Sequence, residues 1–269
     1  MPKKFQDLSK RLLGSSGIIL LLGIGFWGYN YLIVQVMTVI FIALMTATAM
    51  IEYVNLVQNK GETPSKGFLG ALGFFWVILF YLYPSWLWLI FFFLGYFLAN
   101  FLKVEGAIYR IATGSFAIFY ILVPMGMILS ILYPTGIGSR GNVMQIVYLL
   151  SVTKIADVGG YFVGKMFGKT KLAPIISPSK TVLGAIFGLV CSICVSLLFC
   201  QTLQMSLITA AILGLCIGFA AEVGDLAESV LKRDANVKDS NRIPGLGGVL
   251  DLIDSLLFTT PILFAYLRF

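Results

Sequence analysis

Several carboxylates of this 269-residue chain lie within or beside long apolar stretches, where charge is costly. They form three groups: Asp157 close to Lys154, the series Glu222, Asp225 and Glu228, and the pair Asp251 and Asp254. A charge at the middle of a bilayer costs about 2.5–3.5 kcal/mol on insertion scales, so such residues usually face a cavity and mark function. Internal ion pairing, for instance between Lys154 and Asp157, is the alternative. For Glu52, alone at the end of an apolar stretch, both interpretations stay open.

Two basic segments, 164–180 and 232–248, adjoin these carboxylates. Carboxylates suit Mg²⁺, which usually also binds substrate phosphates, and Lys and Arg side chains suit a polyphosphate. The turn 244–248 (Pro-Gly-Leu-Gly-Gly) precedes a predicted helix, so its backbone N–H groups are suited to an anion. The positive-inside bias alone would explain the basic charge, but neither the carboxylates nor the turn. Together they predict phosphoryl or nucleotidyl transfer to a lipid at a membrane surface.

The elements that must position these groups are membrane helices. Four stretches, 12–51, 67–102, 111–139 and 181–221, contain no charged residue, and mean hydropathy is +0.94. A span needs about 20 mainly apolar residues, so the longest stretches hold two each. We therefore predict an all-α, polytopic transmembrane protein with about nine spans: roughly 12–29, 31–51, 68–83, 85–102, 108–132, 142–166, 181–200, 205–231 and 249–268.

With nine spans, nearly all the basic residues fall on one side of the membrane. Of the 19 Lys and Arg residues, only Arg140 and Arg268 fall on the poorer side, and Lys154 falls inside a span. By the positive-inside rule, the richer side is cytoplasmic, which places the N-terminus inside. We read residues 1–11 as a basic cytoplasmic arm, the first span as a retained helix, and residues 1–269 as one integral membrane domain.

Composition also narrows the chemistry. The chain has no histidine, which excludes His-based triads, His-ligated metals and histidine relays. The net charge of +7 reflects the positive-inside bias and attraction to anionic lipid. It is not clustered with stacking aromatics, so we expect no nucleic-acid partner.

The residue pattern over roughly 154–261 resembles the CDP-diacylglycerol synthase family, also called phosphatidate cytidylyltransferases. The resemblance rests on two segments. The downstream one holds Gly224-Asp225-Leu226, Glu228-Ser229, Lys232-Arg233, Lys238-Asp239-Ser240, Pro244-Gly245, Gly247-Gly248, Asp251 and Asp254-Ser255. The upstream one holds Ala156-Asp157, Gly160-Tyr161, Gly164-Lys165, Phe167-Gly168-Lys169, Ser177-Pro178, Lys180-Thr181 and Gly184. Leu246 and Leu252 stand where the family usually has His and Arg.

The resemblance implies that CTP and phosphatidate react to CDP-diacylglycerol and pyrophosphate, with Mg²⁺ as cofactor. It implies a multi-pass enzyme of the inner membrane, in contact with membrane lipid, often a homodimer, with its active site facing the cytoplasm. The roles follow by position. Metal ligands would be Asp157, Asp225, Asp251 and Asp254; catalytic residues would be Asp225, Lys232, Arg233, Lys238 and Asp239; substrate would contact Lys165, Ser177, Lys180, Ser229, Gly247 and Gly248.

Two other functions remain as alternatives. A CTP-dependent lipid kinase would transfer the γ-phosphoryl group and release CDP instead of pyrophosphate. An ion-coupled secondary transporter also carries intramembrane carboxylates, but it would place them near the midplane with repeat symmetry between halves, and neither feature is evident in the sequence.

Overall fold

A computed structural model of the protein describes residues 31–58, 64–138, 141–237, 240 and 248–268. The chain divides into two compact units, Met1–Val143 with Val237–Leu252, and Met144–Asn236 with Ile253–Phe269. The predicted basic arm 1–11 and first span 12–29 lie outside the described residues. That residues 1–269 form a single membrane domain stays a prediction.

The first unit is a set of apolar helices. They are α1 (Leu32–Val57), α2 (Lys66–Leu82), α3 (Leu87–Ala99), α4 (Ala107–Ala117) and α5 (Val123–Leu132), with a π-helical turn, Ile118–Leu122, joining the last two. The buried Trp76 of α2 donates its indole N–H to the Leu122 carbonyl at 3.2 Å, within that turn. A π-turn widens the helix and leaves carbonyls available for such a side-chain donor.

The second unit carries most of the predicted site. Its elements are α6 (Val143–Phe167), β1 (Lys171–Ala173), β2 (Ser177–Thr181), α7 (Val182–Leu198) and α8 (Leu207–Asp234). Helix α9 (Val249–Arg268) begins in the first unit and continues in the second from residue 253. Most helices coincide with predicted ones to within a few residues. Helix α1 continues to Val57, beyond the predicted end at 51, and α4 and α5 both fall within the predicted span 108–132.

Five of the described helices are long and apolar enough to cross a membrane: Leu32–Val57, Ala107–Leu132, Val143–Phe167, Leu207–Asp234 and Val249–Arg268. Helices α2, α3 and α7 are apolar but shorter. Large apolar side chains are exposed on many helices, for instance Leu98 at 68% and Ile208 at 74%, which suits contact with lipid. The protein is therefore a helical membrane protein, while nine spans and a cytoplasmic N-terminus stay predictions.

Two segments predicted as basic loops have regular structure instead. Residues 171–181 form a short antiparallel hairpin in which Lys171 pairs with Thr181 and Ala173 with Ser177. Pro174 and Pro178 disfavour a helix here, because proline lacks the N–H that a helix interior requires. The eighth predicted helix also extends to Asp234 rather than 231, so Lys232 and Arg233 occupy its last turn.

Small residues let the helices of the second unit pack closely. A Cβ added at Gly184 of α7 would lie 2.6 Å from the Gly160 carbonyl oxygen of α6, and one at Gly188 would lie 2.7 Å from that of Ala156. In membranes, helix association depends on such close contact, because lipid supplies no hydrophobic drive between helices. The crossing of α6 and α7 is thus built from glycine, and it lies beside the carboxylates described next.

Candidate active site

Lys180 joins two carboxylates of α8. Its ammonium nitrogen Nζ lies 2.7 Å from Oε2 of Glu222 and 3.0 Å from Oδ2 of Asp225. Glu222 and Asp225 are three residues apart and therefore lie on one face of the helix. Lys180 reaches them from the end of β2, just before Thr181, whose hydroxyl accepts from the Gly184 N–H and caps α7.

The charge state of Lys180 is set by these neighbours. Burial alone would lower the pKa of its ammonium group, but Asp225 and Glu222 outweigh burial, and the pKa is raised above its ordinary value. The ammonium therefore stays charged at neutral pH. Its stabilising contribution is present below the ordinary lysine pKa and is lost only as the pH rises through the raised value.

Two further carboxylates approach Asp225 from other helices. Asp157 of α6 and Asp254 of α9 each lie near enough to Asp225 to be repelled by it. Lys154 forms an ion pair with Asp157 at 3.7 Å, and the buried Asp254 accepts hydrogen bonds from the backbone N–H and hydroxyl of Ser255. Four carboxylates and two ammonium groups thus interact electrostatically in this part of the unit, with a formal excess of negative charge.

The approach of α8 to α9 depends on Gly224. A Cβ added there would lie 2.8 Å from the carbonyl oxygen of Asp254 and 2.9 Å from Cα of Ser255. Both are backbone atoms, which cannot move away as a flexible side chain can. Gly224 therefore allows the contact that brings Asp225 towards Asp254.

The last turns of α8 hold three more predicted site residues. Lys232 pairs with the buried Glu228 one turn earlier, and Ser229 is buried beside it. Arg233 is exposed and donates from Nε to the carbonyl oxygen of Ile176 in the hairpin turn, at 3.0 Å. The hairpin is thereby tied to the end of α8.

The remaining substrate-contact predictions of this unit lie on α6 and the hairpin. Lys165 is exposed near the end of α6, donates to the Tyr161 hydroxyl at 3.2 Å, and lies 5.4 Å from the Tyr161 ring centroid. Ser177 begins β2, three residues before Lys180. Both residues thus lie in the segment that carries Lys180.

Two of the described site predictions, Asp251 and Gly248, belong to the first unit instead. Oδ2 of Asp251 accepts from the Gly248 N–H at 2.7 Å and from the N–H and hydroxyl of Ser240 at 3.1 and 3.2 Å. The fully buried Glu52 of α1 accepts from the Leu250 N–H at 2.8 Å and from the Ser240 hydroxyl at 3.0 Å. Together, the two acids hold the start of α9. Lys238, Asp239 and Gly247 lie outside the described residues.

The carboxylates are suitable ligands for Mg²⁺, but protein side chains alone would not complete its coordination shell. In the part of the chain that the structure describes, no three acidic or cysteine side chains are grouped closely enough to hold an ion by themselves. Mg²⁺ commonly uses one or two carboxylates, with water and substrate phosphates completing its shell. Asp225 is 32% exposed and already holds a cationic group, so it suits such a partial set.

Glu222 was named among the candidate carboxylates but was given no role at the site, and Glu52 was left undecided. Glu222 belongs to the three-residue series with Asp225, and that spacing placed both on the face that Lys180 contacts. The ion pair between Lys154 and Asp157, which the sequence left open as the alternative for Asp157, is present. For Glu52, no local pattern indicated its partners, because they lie almost 200 residues away.

Lys180→Met tests the ammonium between the two carboxylates. We expect this variant to lose about 1–3 kcal/mol of stability, because Glu222 and Asp225 would face each other without their shared counter-ion. Thermal unfolding of the purified protein in detergent measures the loss. Lys171→Met, an exposed lysine of the same hairpin, is the control, and an unfolding temperature equal to that of the control would contradict the expectation.

The fold and the site define a helical membrane protein with a carboxylate and lysine cluster on its second unit. The sequence model of the cytidylyltransferase family matches residues 10–269, nearly the whole chain. This protein belongs to the cytidylyltransferase family, which confirms the resemblance drawn from its motifs.

Curated relatives agree with the family match. The chain is 41% identical over 162 residues to a phosphatidate cytidylyltransferase of Chlamydia muridarum, covering 56% of this chain and 53% of that protein. It is 48% identical over 114 residues to a phosphatidate cytidylyltransferase of Synechocystis, covering 41% and 39%. An uncharacterized Escherichia coli protein, YnbB, is 38% identical over 132 residues, covering 48% and 44%. The match thus spans about half the length of these relatives.

Proposed function

We propose that the protein transfers the cytidylyl group of CTP to phosphatidate, giving CDP-diacylglycerol and pyrophosphate. The observation that carries the proposal is the Lys180 ammonium held between Glu222 and Asp225, within a chain of the cytidylyltransferase family. The relatives named phosphatidate cytidylyltransferase support the choice of lipid substrate. The neighbouring acids and bases suit a reaction in which charge must be neutralised on several phosphates.

The reaction needs alignment more than proton transfer. The second pKa of a phosphate monoester is about 6, so phosphatidate is largely dianionic at neutral pH. One of its phosphate oxygens attacks the α-phosphorus of CTP, a new P–O bond forms, and the bond to the β-phosphate bridge breaks to release pyrophosphate. A strong general base is unnecessary, which agrees with a chain that contains no histidine.

The basic residues of the second unit would neutralise the phosphates. Lys180 is already charged and held in place by two carboxylates, so it would meet the triphosphate without reorganising. Arg233 and Lys165 are exposed, and each would leave its contact with Ile176 or Tyr161 to reach a phosphate, while Lys232 is paired with Glu228. Ser177 and Ser229 would donate hydrogen bonds to phosphate oxygens.

Mg²⁺ would be held by Asp225 with Asp157 and Asp254 nearby, and Asp251 stays a predicted ligand. When bound, the ion would neutralise the oxygens of the triphosphate. Lys238 and the N–H group of Gly247 would add further phosphate contacts, and Asp239 stays a predicted catalytic residue. Gly248 also stays a predicted substrate contact, although its N–H donates to Asp251 in this structure. The excess of carboxylates over ammonium groups supports a divalent cation at this place.

We also propose that the site faces the cytoplasm from an inner membrane, with nine spans and the N-terminus inside. The sequence segregation of Lys and Arg supports this orientation. Membrane lipid would surround the exposed apolar side chains and deliver phosphatidate laterally. A homodimer, which the family resemblance implied, is part of the same proposal.

In the first experiment, purified protein in detergent is incubated with phosphatidate, Mg²⁺ and α-labelled CTP, and the products that carry the label are measured. We expect label in lipid and an equal amount of pyrophosphate, both abolished by EDTA and restored by excess Mg²⁺. A heat-inactivated sample and a reaction without phosphatidate are the controls.

Other outcomes separate the alternatives. Release of α-labelled CDP without label in lipid, together with labelled lipid when γ-labelled CTP is used instead, would overturn the proposal in favour of a CTP-dependent lipid kinase. Absence of any nucleotide chemistry would overturn both enzymatic functions, and a transporter would then be tested by uptake into vesicles containing the protein.

A further inference from the structure

The two carboxylates that contact Lys180 differ in their exposure to solvent: Glu222 is the more buried and Asp225 the more exposed. The Glu222 side chain is 12% exposed, against 32% for Asp225, although both contact the same ammonium group. Lys180 is therefore held from within by one carboxylate and from the open side by another.

The Glu222 side chain lies beside the crossing of α6 and α7. Its Oε1 would lie 3.4 Å from a Cβ added at Gly160 and 3.5 Å from one added at Gly188. Both distances correspond to ordinary van der Waals contact, whereas the backbone carbonyl oxygens of Gly184 and Ala156 lie closer to the added Cβ atoms. The glycines are thus needed for the approach of the two helices, and Glu222 packs against the crossing that they form.

The two carboxylates have different freedom to change partners. Asp225 is the more exposed and lies near Asp157 and Asp254, so a cation or a substrate phosphate reaching this cluster meets it first. Glu222 is enclosed by the glycine crossing and keeps the shorter contact to Lys180, 2.7 Å against 3.0 Å. An incoming ligand would accordingly separate Lys180 from Asp225 before it separates Lys180 from Glu222.

We propose that Glu222 is a positioning residue, which keeps the Lys180 ammonium at the site while Asp225 exchanges that ammonium for substrate-bound Mg²⁺. This inference rests on the proposed function and deepens it. Glu222 touches neither substrate nor metal in this scheme and acts through Lys180 alone. Without its charge, Lys180 would pair with Asp225 only and compete with the incoming ligand.

Glu222→Gln tests the role, because the amide keeps the size and one acceptor oxygen but removes the charge. We expect the dissociation constant for CTP with Mg²⁺, measured without phosphatidate, to rise about tenfold. The Mg²⁺ concentration needed for half-maximal turnover should rise similarly, with a smaller change in kcat. Glu105→Gln, the same change at an exposed loop residue, is the matched control.

A double-mutant cycle with Lys180→Met shows whether Glu222 acts through the lysine. In the Lys180→Met background, adding Glu222→Gln should change CTP binding by no more than about twofold. An equal loss in both backgrounds would overturn the inference, and so would a lower unfolding temperature with unchanged CTP binding. Should Glu222→Gln fail to fold, Glu222→Asp gives the same comparison, because the shorter side chain draws the charge away from Lys180.

Failure of the proposed function is distinguishable from failure of this inference. A parent protein that neither binds nor converts CTP would overturn both. A parent that binds and converts CTP, with a Glu222→Gln variant that matches it in binding and Mg²⁺ requirement, would overturn only the role of Glu222.

Discussion

Asp225→Asn is expected to reduce cytidylyl transfer at least about a hundredfold while leaving the protein folded. Asparagine has the same size as aspartate, so the packing of α8 against its neighbours is retained. The charge that faces Lys180 and would hold Mg²⁺ is lost. Incorporation of α-labelled CTP into lipid measures the activity, and thermal unfolding in detergent measures the fold.

Asp234→Asn provides the matched control for Asp225→Asn. It makes the same chemical change on the same helix, at an exposed position in the final turn. We expect it to retain nearly all activity. Near-normal transfer by Asp225→Asn would contradict the metal role, whereas equal losses in both variants would indicate a general effect of charge on α8.

Gly224→Val is expected to be the most disruptive packing change at the site. Its Cβ would enter the space occupied by backbone atoms of Asp254 and Ser255, and its methyl groups would also meet the ring of Phe258, which is 3.2 Å from an ideal Cβ. Overpacking of this kind typically costs about 1–3 kcal/mol. Because α8 must move away from α9, Asp225 and Asp254 would also separate. We therefore expect a lower unfolding temperature together with loss of transfer activity.

Gly95→Val is the control for steric crowding. Gly95 lies on α3, is exposed, and has no heavy atom within 4 Å of an added Cβ. The variant should unfold near the temperature of the parent and keep its activity. If Gly224→Val behaved like Gly95→Val, the close approach of α8 to α9 would be unnecessary for the site.

Most helices could be predicted because membrane spans are recognised from local composition. Runs without charge, broken at turns such as Tyr83-Pro84-Ser85, marked most helix ends to within a few residues, and α9 matches its predicted range 249–268. Helix α1 is the exception, since it continues to Val57 instead of ending at 51. Backbone groups in lipid must be satisfied internally, so a long apolar run has few alternatives to a helix. The hairpin 171–181 was not predicted, since short strands depend on pairing rather than on composition.

The sequence named candidate site residues but not their arrangement, and the roles of these residues stay predictions. Spacing along α8 placed Glu222 and Asp225 on one face, and the motifs indicated which acids and lysines belong to phosphate chemistry. Spacing could not show that Lys180, 42 residues before Glu222, would lie between these two acids. Nor could spacing show that Asp251 and Asp254, one turn apart, have different partners: Asp251 holds the start of α9, whereas Asp254 lies near Asp225.

The sequence by itself determined the class of protein, the helices and the chemical groups, because hydropathy and residue type are local properties. Its motifs also determined the family, since they retain their spacing along the chain. Only the tertiary structure decided that Glu222 shares the lysine with Asp225 and that Gly224 brings Asp225 towards Asp254. These contacts join residues distant in sequence, and they depend on how closely glycine backbones allow particular helices to approach.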